Sequence, residues 1–88
     1  MPTFMAIHKT PPKAMTIQQV RDLSQLAQQD KLVKGRRSFG SLTEGSAVCI
    51  FDAPSKGDLA NFFEKNHVPV ESITQMDFEG DGSMVRTV

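Results

Sequence analysis

The stretch AVCIF, residues 47–51, is the most strand-like part of this 88-residue chain, and the rest of the fold can be worked out from it. It is entirely apolar and rich in the β-branched and aromatic types that strands favour. The turn TEGS precedes it, where Gly45 can adopt a positive φ, and the weaker strand RRSFGSLT lies before that turn. The sequence therefore predicts a β-hairpin at the centre of the chain.

A helix is predicted on the N-terminal side of this hairpin. TIQQ, residues 16–19, is a capping box in which the Thr16 hydroxyl and the Gln19 side chain satisfy each other's backbone amides. One apolar stripe follows at spacings near three and four: Ile17, Val20, Leu23, Leu26 and Ala27. We expect this helix to fade between Asp30 and Val33, with Gly35 as its stop.

A second helix is predicted on the C-terminal side. DAPS ends the central strand, and Ser55 followed by Asp58 three residues later is a helix cap. Leu59, Phe62 and Phe63 form the stripe that we expect to be buried. The helix should end near Asn66 and His67, before a proline.

The two outermost segments complete the pattern. The first strand runs from Thr3 to His8 and stops at KTPPKAM, where two consecutive prolines exclude a helix. The last strand runs from Ile73 to Glu79. The order β-α-β-β-α-β predicts an α+β, ferredoxin-like fold, a four-stranded antiparallel sheet with both helices on one face. We expect a single domain over residues 1–80 and a flexible tail over residues 81–88.

The central strands are apolar on both faces, which a sheet covered on one side does not require. In the first strand Phe4 and Ala6 point one way, whereas Met5 and Ile7 point the other way. Helices can cover one face only, so a second subunit is the simplest cover for the other. We therefore expect a homodimer, packed sheet to sheet as a dimeric α+β barrel.

Composition excludes several classes of function. The chain is neutral overall, which is unfavourable for general binding of nucleic acid, and no apolar run approaches the roughly 18 residues of a membrane span. Residues 1–44 carry seven Lys and Arg against three Asp and Glu, and residues 45–88 carry three against seven. This asymmetry favours self-association or simply reflects segregated solvated faces. A single cysteine, Cys49, and the lack of a signal peptide predict a cytoplasmic protein.

Four side chains are candidates for chemistry because the topology brings them to one edge of the sheet: His8, Glu44, His67 and Glu71. Two imidazoles with carboxylates suit Ni²⁺, Zn²⁺ or Cu²⁺. The same set suits proton transfer, with a carboxylate orienting a neutral histidine. The alternatives are structural, since His67 can cap a helix end and His8 can bond to a backbone carbonyl at a strand end.

The other reactive or aromatic residues predict core positions. Cys49 lies within an apolar strand, so an inert buried thiol is the preferred interpretation. The six phenylalanines are core candidates: Phe4, Phe39, Phe51, Phe62, Phe63 and Phe78. The chain lacks the stacking-aromatic pattern of RNA-recognition domains, a C-x-x-C motif and a glycine-rich phosphate loop.

Two stretches resemble one known family. FMAIHKTPP is similar to that family's strand ending in histidine before a proline loop, and VCIFDAPSKGDLANFFEKNHVPVESITQM is similar to its strand exit, second helix and last-strand entry. The family that these stretches resemble is a small bacterial one typified by nickel-binding ferredoxin-like proteins, within the dimeric α+β barrel superfamily. The resemblance implies dimers and, as in one branch of the family, nickel binding, with His8 matching the strand-one histidine.

These observations leave three classes of function open. The leading expectation is binding of a divalent transition metal, nickel or zinc, or of a small ligand near His8. The alternatives are a small-molecule enzyme that uses His8 as acid or base, and a non-catalytic interaction module.

Overall fold

The computed structural model describes all of residues 1–88 and contains two helices and six strands. Along the chain these are β1 (Thr3–Lys9), α1 (Ile17–Gln29), β2 (Lys34–Ser41), β3 (Ser46–Asp52), α2 (Lys56–Lys65), β4 (Ser72–Gln75), β5 (Phe78–Gly80) and β6 (Val85–Thr87).

The first four strands form one antiparallel sheet in the order β2-β3-β1-β4. The hairpin predicted around Gly45 is the β2–β3 pair, and Gly45 has a φ of 77°. Both helices contribute buried side chains to the same core cluster as β1 and β3, so both cover one face of the sheet. The α+β ferredoxin-like fold predicted from the sequence is therefore confirmed.

Both predicted helix caps are present. The Gln19 amide donates to the Thr16 hydroxyl at 3.2 Å, and the Gln19 side chain accepts from the Thr16 amide at 2.8 Å. The Asp58 amide donates to the Ser55 hydroxyl at 3.1 Å. These bonds satisfy donors that a helix start otherwise leaves unpaired, and they explain why each helix begins where it does.

The end of α1 differs from the prediction. The helix stops at Gln29, and the Asp30 carboxylate accepts hydrogen bonds from the amides of Leu32 and Val33. An aspartate that bonds to the following backbone turns the chain without a glycine. Gly35 is consequently not the helix stop but lies in β2, beside a bulge in its pairing with β3.

The face that packs on the helices, here called the helix face, holds most of the core. Phe4 and Ala6 of β1 and Cys49 and Phe51 of β3 point to it and are at most 5% exposed. The opposite face, here called the open face, presents Met5, Ile7, Val48 and Ile50, all only half-buried. The chain provides no helix to cover them.

Two of the six phenylalanines are not in the core. Phe39 is 56% exposed and Phe78 is 63% exposed, so their assignment to the core was wrong. Phe39 pairs with Val48 and so lies on the open face of β2, away from the helices, and Phe78 lies outside the main sheet altogether. Position relative to the helices, rather than side-chain type, decides which aromatic residues are buried.

The C-terminal segment also differs from the prediction. The last strand of the main sheet ends at Gln75, and the segment expected to be its continuation and a tail contains the β5–β6 hairpin. Arg86 donates to Glu79 across this hairpin at 2.6 Å. Phe78 and Val85, two apolar residues of the hairpin, are exposed. No helix of the chain has the length and apolar character needed to cross a membrane.

Candidate functional site

His8 is the most unusual polar residue of the chain, because it is only 5% exposed on the helix face near the end of β1. Its Nδ1 atom lies 2.8 Å from the carbonyl oxygen of Pro69, in the connection between α2 and β4. The ring also packs edge-on against Phe63, with centroids 4.9 Å apart. Strand, helix and loop therefore fix one orientation of this imidazole.

The bond to Pro69 determines which nitrogen carries a proton. A carbonyl oxygen can only accept, so Nδ1 of His8 must donate. In the neutral ring the other nitrogen, Nε2, is then a hydrogen-bond acceptor or a metal ligand. Nε2 is buried and has no partner within the chain. An unpaired buried acceptor is costly, which makes this atom the strongest indication of a ligand.

His8 lines a cavity of about 580 Å³ between α1 and the sheet, here called the His8 cavity. Helix α1 contributes apolar side chains that include Val20 and Leu23, and the sheet contributes Cys49 and Phe51. A volume of this size lies within the range of small-molecule binding sites, which are mostly apolar with few polar groups.

No aspartate or glutamate lines the cavity, although Arg36 and Arg37 border it. Arg36 is bonded to Asp52 at 2.7 Å, so its charge is neutralised locally. Arg37 pairs with Ile50 across the sheet and lies over the ring of Phe39, 5.1 Å from its centroid, so its side chain lies on the open face. The cavity offers no carboxylate to a cation, which makes the burial of a cation there unfavourable.

His67, the second histidine, has a structural role that the sequence allowed as an alternative. It follows α2 with a φ of 58°, a left-handed conformation that is uncommon for residues other than glycine. Its amide donates to Glu64, and the amide of Val68 donates to Phe63, which is the bond pattern of a Schellman motif. The residue is exposed, although it also borders the His8 cavity.

The two glutamates predicted to join the histidines are both exposed. Glu71 forms an ion pair with Lys9 at 3.6 Å, and its amide donates to the carbonyl of Ile7 beside the end of β1. Glu44 lies in the β2–β3 turn, where its amide donates to the hydroxyl of Ser41. Both residues lie at the expected edge of the sheet, but neither borders the cavity.

The chain contains no group of three or more His, Cys, Asp or Glu side chains that could hold a metal ion. The set His8, His67, Glu44 and Glu71 therefore does not come together as a metal cluster within one chain. The unpaired Nε2 of His8 supplies a single donor, in a cavity without carboxylates. These residues do not fit a nickel or zinc centre built from one chain.

Cys49 behaves as the sequence indicated. Its thiol is free and buried, and burial raises its pKa, an effect that a hydrogen bond with Ser38 only partly offsets. A thiol held in its protonated form is a poor nucleophile. Cys49 is therefore part of the cavity wall rather than a reactive group.

Sequence reasoning allowed His8 to bond to a backbone carbonyl, which the structure shows, but it did not identify Pro69 as the acceptor, and it missed that Arg37 forms no ion pair. The pairing of β1 with β4 was a usable signal for Pro69, since it places the segment before β4 beside the end of β1. Nothing in the sequence indicated that Arg37 would lack an acidic partner, because the neighbouring Arg36 takes Asp52 through the β-bulge geometry of β2.

The fold and the site define a class: a small ferredoxin-like α+β protein with one buried histidine over a cavity between helix and sheet. Residues 4–76 match the family model described as "Nickel responsive protein SCO4226-like". The chain belongs to this family, which supports the resemblance drawn from its sequence.

A solved structure shares the fold. The crystal structure of SCO4226 from Streptomyces coelicolor A3(2) superposes with a TM-score of 0.76 at 17% identity, over 89% of this chain and 99% of that one. No curated protein matches the sequence. The family match ends at residue 76, so the β5–β6 hairpin lies outside it.

Proposed function

We propose that this protein binds a small ligand in the His8 cavity, with Nε2 of His8 as the group that contacts it. The single observation that carries the proposal is this nitrogen, which is buried and unpaired while its partner Nδ1 is fixed by Pro69. A preset tautomer in a cavity of which 12 of the 24 lining residues are hydrophobic is the arrangement expected of a residue that orients one polar group of a ligand.

Nickel is the candidate ligand that the family description suggests. His8 could contribute one nitrogen to such an ion. The chain contains no group of three or more His, Cys, Asp or Glu side chains that could hold a metal, so the remaining donors would have to come from another molecule. The cavity also lacks a carboxylate that could balance the charge of a divalent cation. An uncharged organic ligand meets neither obstacle, and we favour it over a metal.

Calorimetric titration separates these possibilities. Ni²⁺ and Zn²⁺ are titrated into the wild type, into His8→Ala and into His67→Gly, which removes the other imidazole at a position whose φ suits glycine. A panel of small organic molecules is screened in parallel by the rise in Tm, since a ligand of the native state stabilises it.

The proposal expects at least one saturable ligand whose binding disappears in His8→Ala and persists in His67→Gly. Binding that survives His8→Ala would contradict it, and so would the absence of any ligand in both assays. Metal binding lost in both histidine variants would instead restore the two-histidine site.

We also propose that two copies pair through their open faces. Met5, Ile7, Val48 and Ile50 form an apolar surface on adjacent strands β1 and β3 that no element of the chain covers. Removing such a surface from water favours association, by about 25 cal/mol per Å² of apolar area before the costs of binding.

Sedimentation velocity tests the pairing. We expect the wild type to sediment at twice its 9.7 kDa mass at micromolar concentration, and Ile50→Lys to sediment as a monomer. Asn61→Lys is the matched control, because it adds the same charge on an exposed position of α2. A monomeric wild type would contradict the proposal.

A buried cysteine that forms no disulfide also suits a reducing compartment, so we propose a cytoplasmic location.

A further inference from the structure

The unpaired Nε2 atom of His8 in the His8 cavity can be satisfied by only one kind of ligand group, a hydrogen-bond donor. Nδ1 of His8 donates to Pro69, so Nε2 of the neutral ring can only accept. A ligand that satisfies this atom must bring a donor, an O–H or N–H. An ether, ketone or ester oxygen offers only lone pairs and would leave the unpaired acceptor as it is.

The surroundings of that acceptor are apolar. The His8 ring lies against the edge of Phe63, and its neighbour across the sheet is Ala47. Val20 and Leu23 of α1 are among the 12 hydrophobic residues of the 24 that line the same cavity. An apolar ligand body suits the immediate neighbours of Nε2, because a polar body would lose its hydration beside them.

The charges around the cavity exclude an ammonium as the source of the donor. A protonated amine has N–H groups, but it would enter a cavity that has no carboxylate to pair with it. Burial of an unpaired cation is unfavourable. An uncharged hydroxyl supplies the donor without this cost.

We infer that the ligand of the His8 cavity is an uncharged apolar molecule bearing a hydroxyl group, an alcohol or a phenol, whose O–H donates to Nε2 of His8. This inference rests on the proposed binding function and narrows it to one chemical class. His8 acts as a recognition residue that distinguishes a hydroxyl from an ether or a hydrocarbon of the same shape.

The test uses two probes that differ only in the donor. 2-Naphthol carries a hydroxyl, and 2-methoxynaphthalene replaces its hydrogen by a methyl group while keeping the ring. Their dissociation constants are measured by fluorescence for the wild type, His8→Phe and Asn61→Ala, a control at an exposed position of α2 that does not line the cavity. His8→Phe keeps an aromatic ring against Phe63 but lacks Nε2.

In the wild type we expect the naphthol to bind about tenfold more tightly than its ether, the effect of one buried hydrogen bond. Asn61→Ala should keep this ratio, and in His8→Phe it should fall to about one. Equal affinities in the wild type, or a tenfold ratio that persists in His8→Phe, would overturn the inference. Failure of both naphthalenes to bind would overturn it as well.

A measurement on the unaltered protein covers the case in which His8→Phe does not fold. The ¹⁵N shift of Nε2 should change on addition of 2-naphthol and stay constant with the ether, and an unchanged shift with both would overturn the inference. The cation 2-naphthylmethylammonium is the third probe, and its tighter binding would also count against a hydroxyl. If Ni²⁺ binds through His8 while the naphthalenes do not, the ligand class is wrong but the proposed binding function stands.

Discussion

The two helices cover the same face of the sheet but differ in how many of their side chains are buried. Helix α2 has 10 residues and buries Leu59, Phe62 and Phe63, none more than 2% exposed. Helix α1 has 13 residues and buries only Ala27, while Ile17 remains 51% exposed. The shorter helix is the better packed one.

This difference in packing suggests that the α2 side of the core provides stability and the α1 side provides the space for binding. The α2 side is filled by a cluster of aromatic rings, with Phe51, Phe62 and Phe63 in mutual contact at 5.3 to 5.9 Å between centroids. On the α1 side the space between helix and sheet is the His8 cavity. A site needs unfilled volume next to a rigid support, and the two helices provide one requirement each.

Matched leucine substitutions would test this division most directly. Leu59→Ala removes a side chain with no exposed surface and should lower the free energy of unfolding by about 3 kcal/mol or more. Leu23→Ala removes a half-buried side chain that already borders a cavity, and it should cost about 1 kcal/mol. Urea denaturation measures both. Similar losses at the two positions would refute the contrast between the helices.

The loop before α1 offers a second test, because it positions a helix that packs weakly. Gly45 has a φ of 77°, and a Cβ there would lie 2.2 Å from the carbonyl oxygen of Thr10. The carbonyl oxygen of Gly45 accepts a hydrogen bond from the Thr10 amide at 2.8 Å. Gly45→Ala should therefore destabilise the protein by about 2 kcal/mol or more. A near-neutral effect in a thermal melt would show that this turn does not hold the loop.

The contact between the two helices predicts a pH effect. The Asp30 carboxylate, at the end of α1, lies 2.7 Å from the ammonium of Lys65 on α2. Its pKa is lowered by this hydrogen bond and by those from Leu32 and Val33, with burial acting in the opposite direction. A lowered pKa contributes stability above the unfolded value near 3.8, and this contribution is lost as the pH falls through the folded value.

Asp30→Asn keeps an acceptor oxygen for the backbone but removes the charge. We expect it to lower the free energy of unfolding by about 1 kcal/mol at pH 7, with the difference from wild type shrinking below about pH 4. Asp52 and Asp81 also have lowered pKa values, so they contribute to the pH dependence of both proteins. The free energy of unfolding of Asp30→Asn is therefore compared with that of the wild type at the same pH. A difference that stays constant down to pH 3 would rule out the charge as its cause.

The smallest expected effect lies on the α1 side. A Cβ at Gly35 would meet the Ala27 Cβ at 3.5 Å and a ring carbon of Phe51 at 3.6 Å, ordinary contact distances. Gly35 also lacks a positive φ, so alanine should fit and stabilise the protein by about 0.5 kcal/mol, chiefly by restricting the unfolded chain. Thermal unfolding measures the gain. A loss would show that this side of the core is already full.

Much of the fold could be predicted because its signals are local. The capping box at Thr16 and the N-cap at Ser55 fix the helix starts, and the apolar run at residues 47–51 fixes the central strand. The errors lie where distant contacts decide. The stripe of α1 has helical period, yet the period alone does not show how closely a helix approaches its sheet, so Ile17 and Leu26 are exposed.

The candidate site could be predicted only in part, for the same reason. Topology placed His8 and His67 at one edge of the sheet, and both border the cavity. Sequence could not show that His67 serves as the left-handed residue after α2, since that role depends on the backbone. It also could not show that Glu71 would face solvent with Lys9.

The position of His8 between the cavity and Pro69 gives the ring a further property, that of a relay. A hydrogen bond accepted at one nitrogen of an imidazole draws on the same electrons that govern the donor strength of the other, so bonds in such a chain reinforce each other. The carbonyl of Pro69 belongs to the connection that leads from α2 into β4, an edge strand. A hydrogen bond donated to Nε2 in the cavity would therefore strengthen the bond from Nδ1 to Pro69, next to the edge strand.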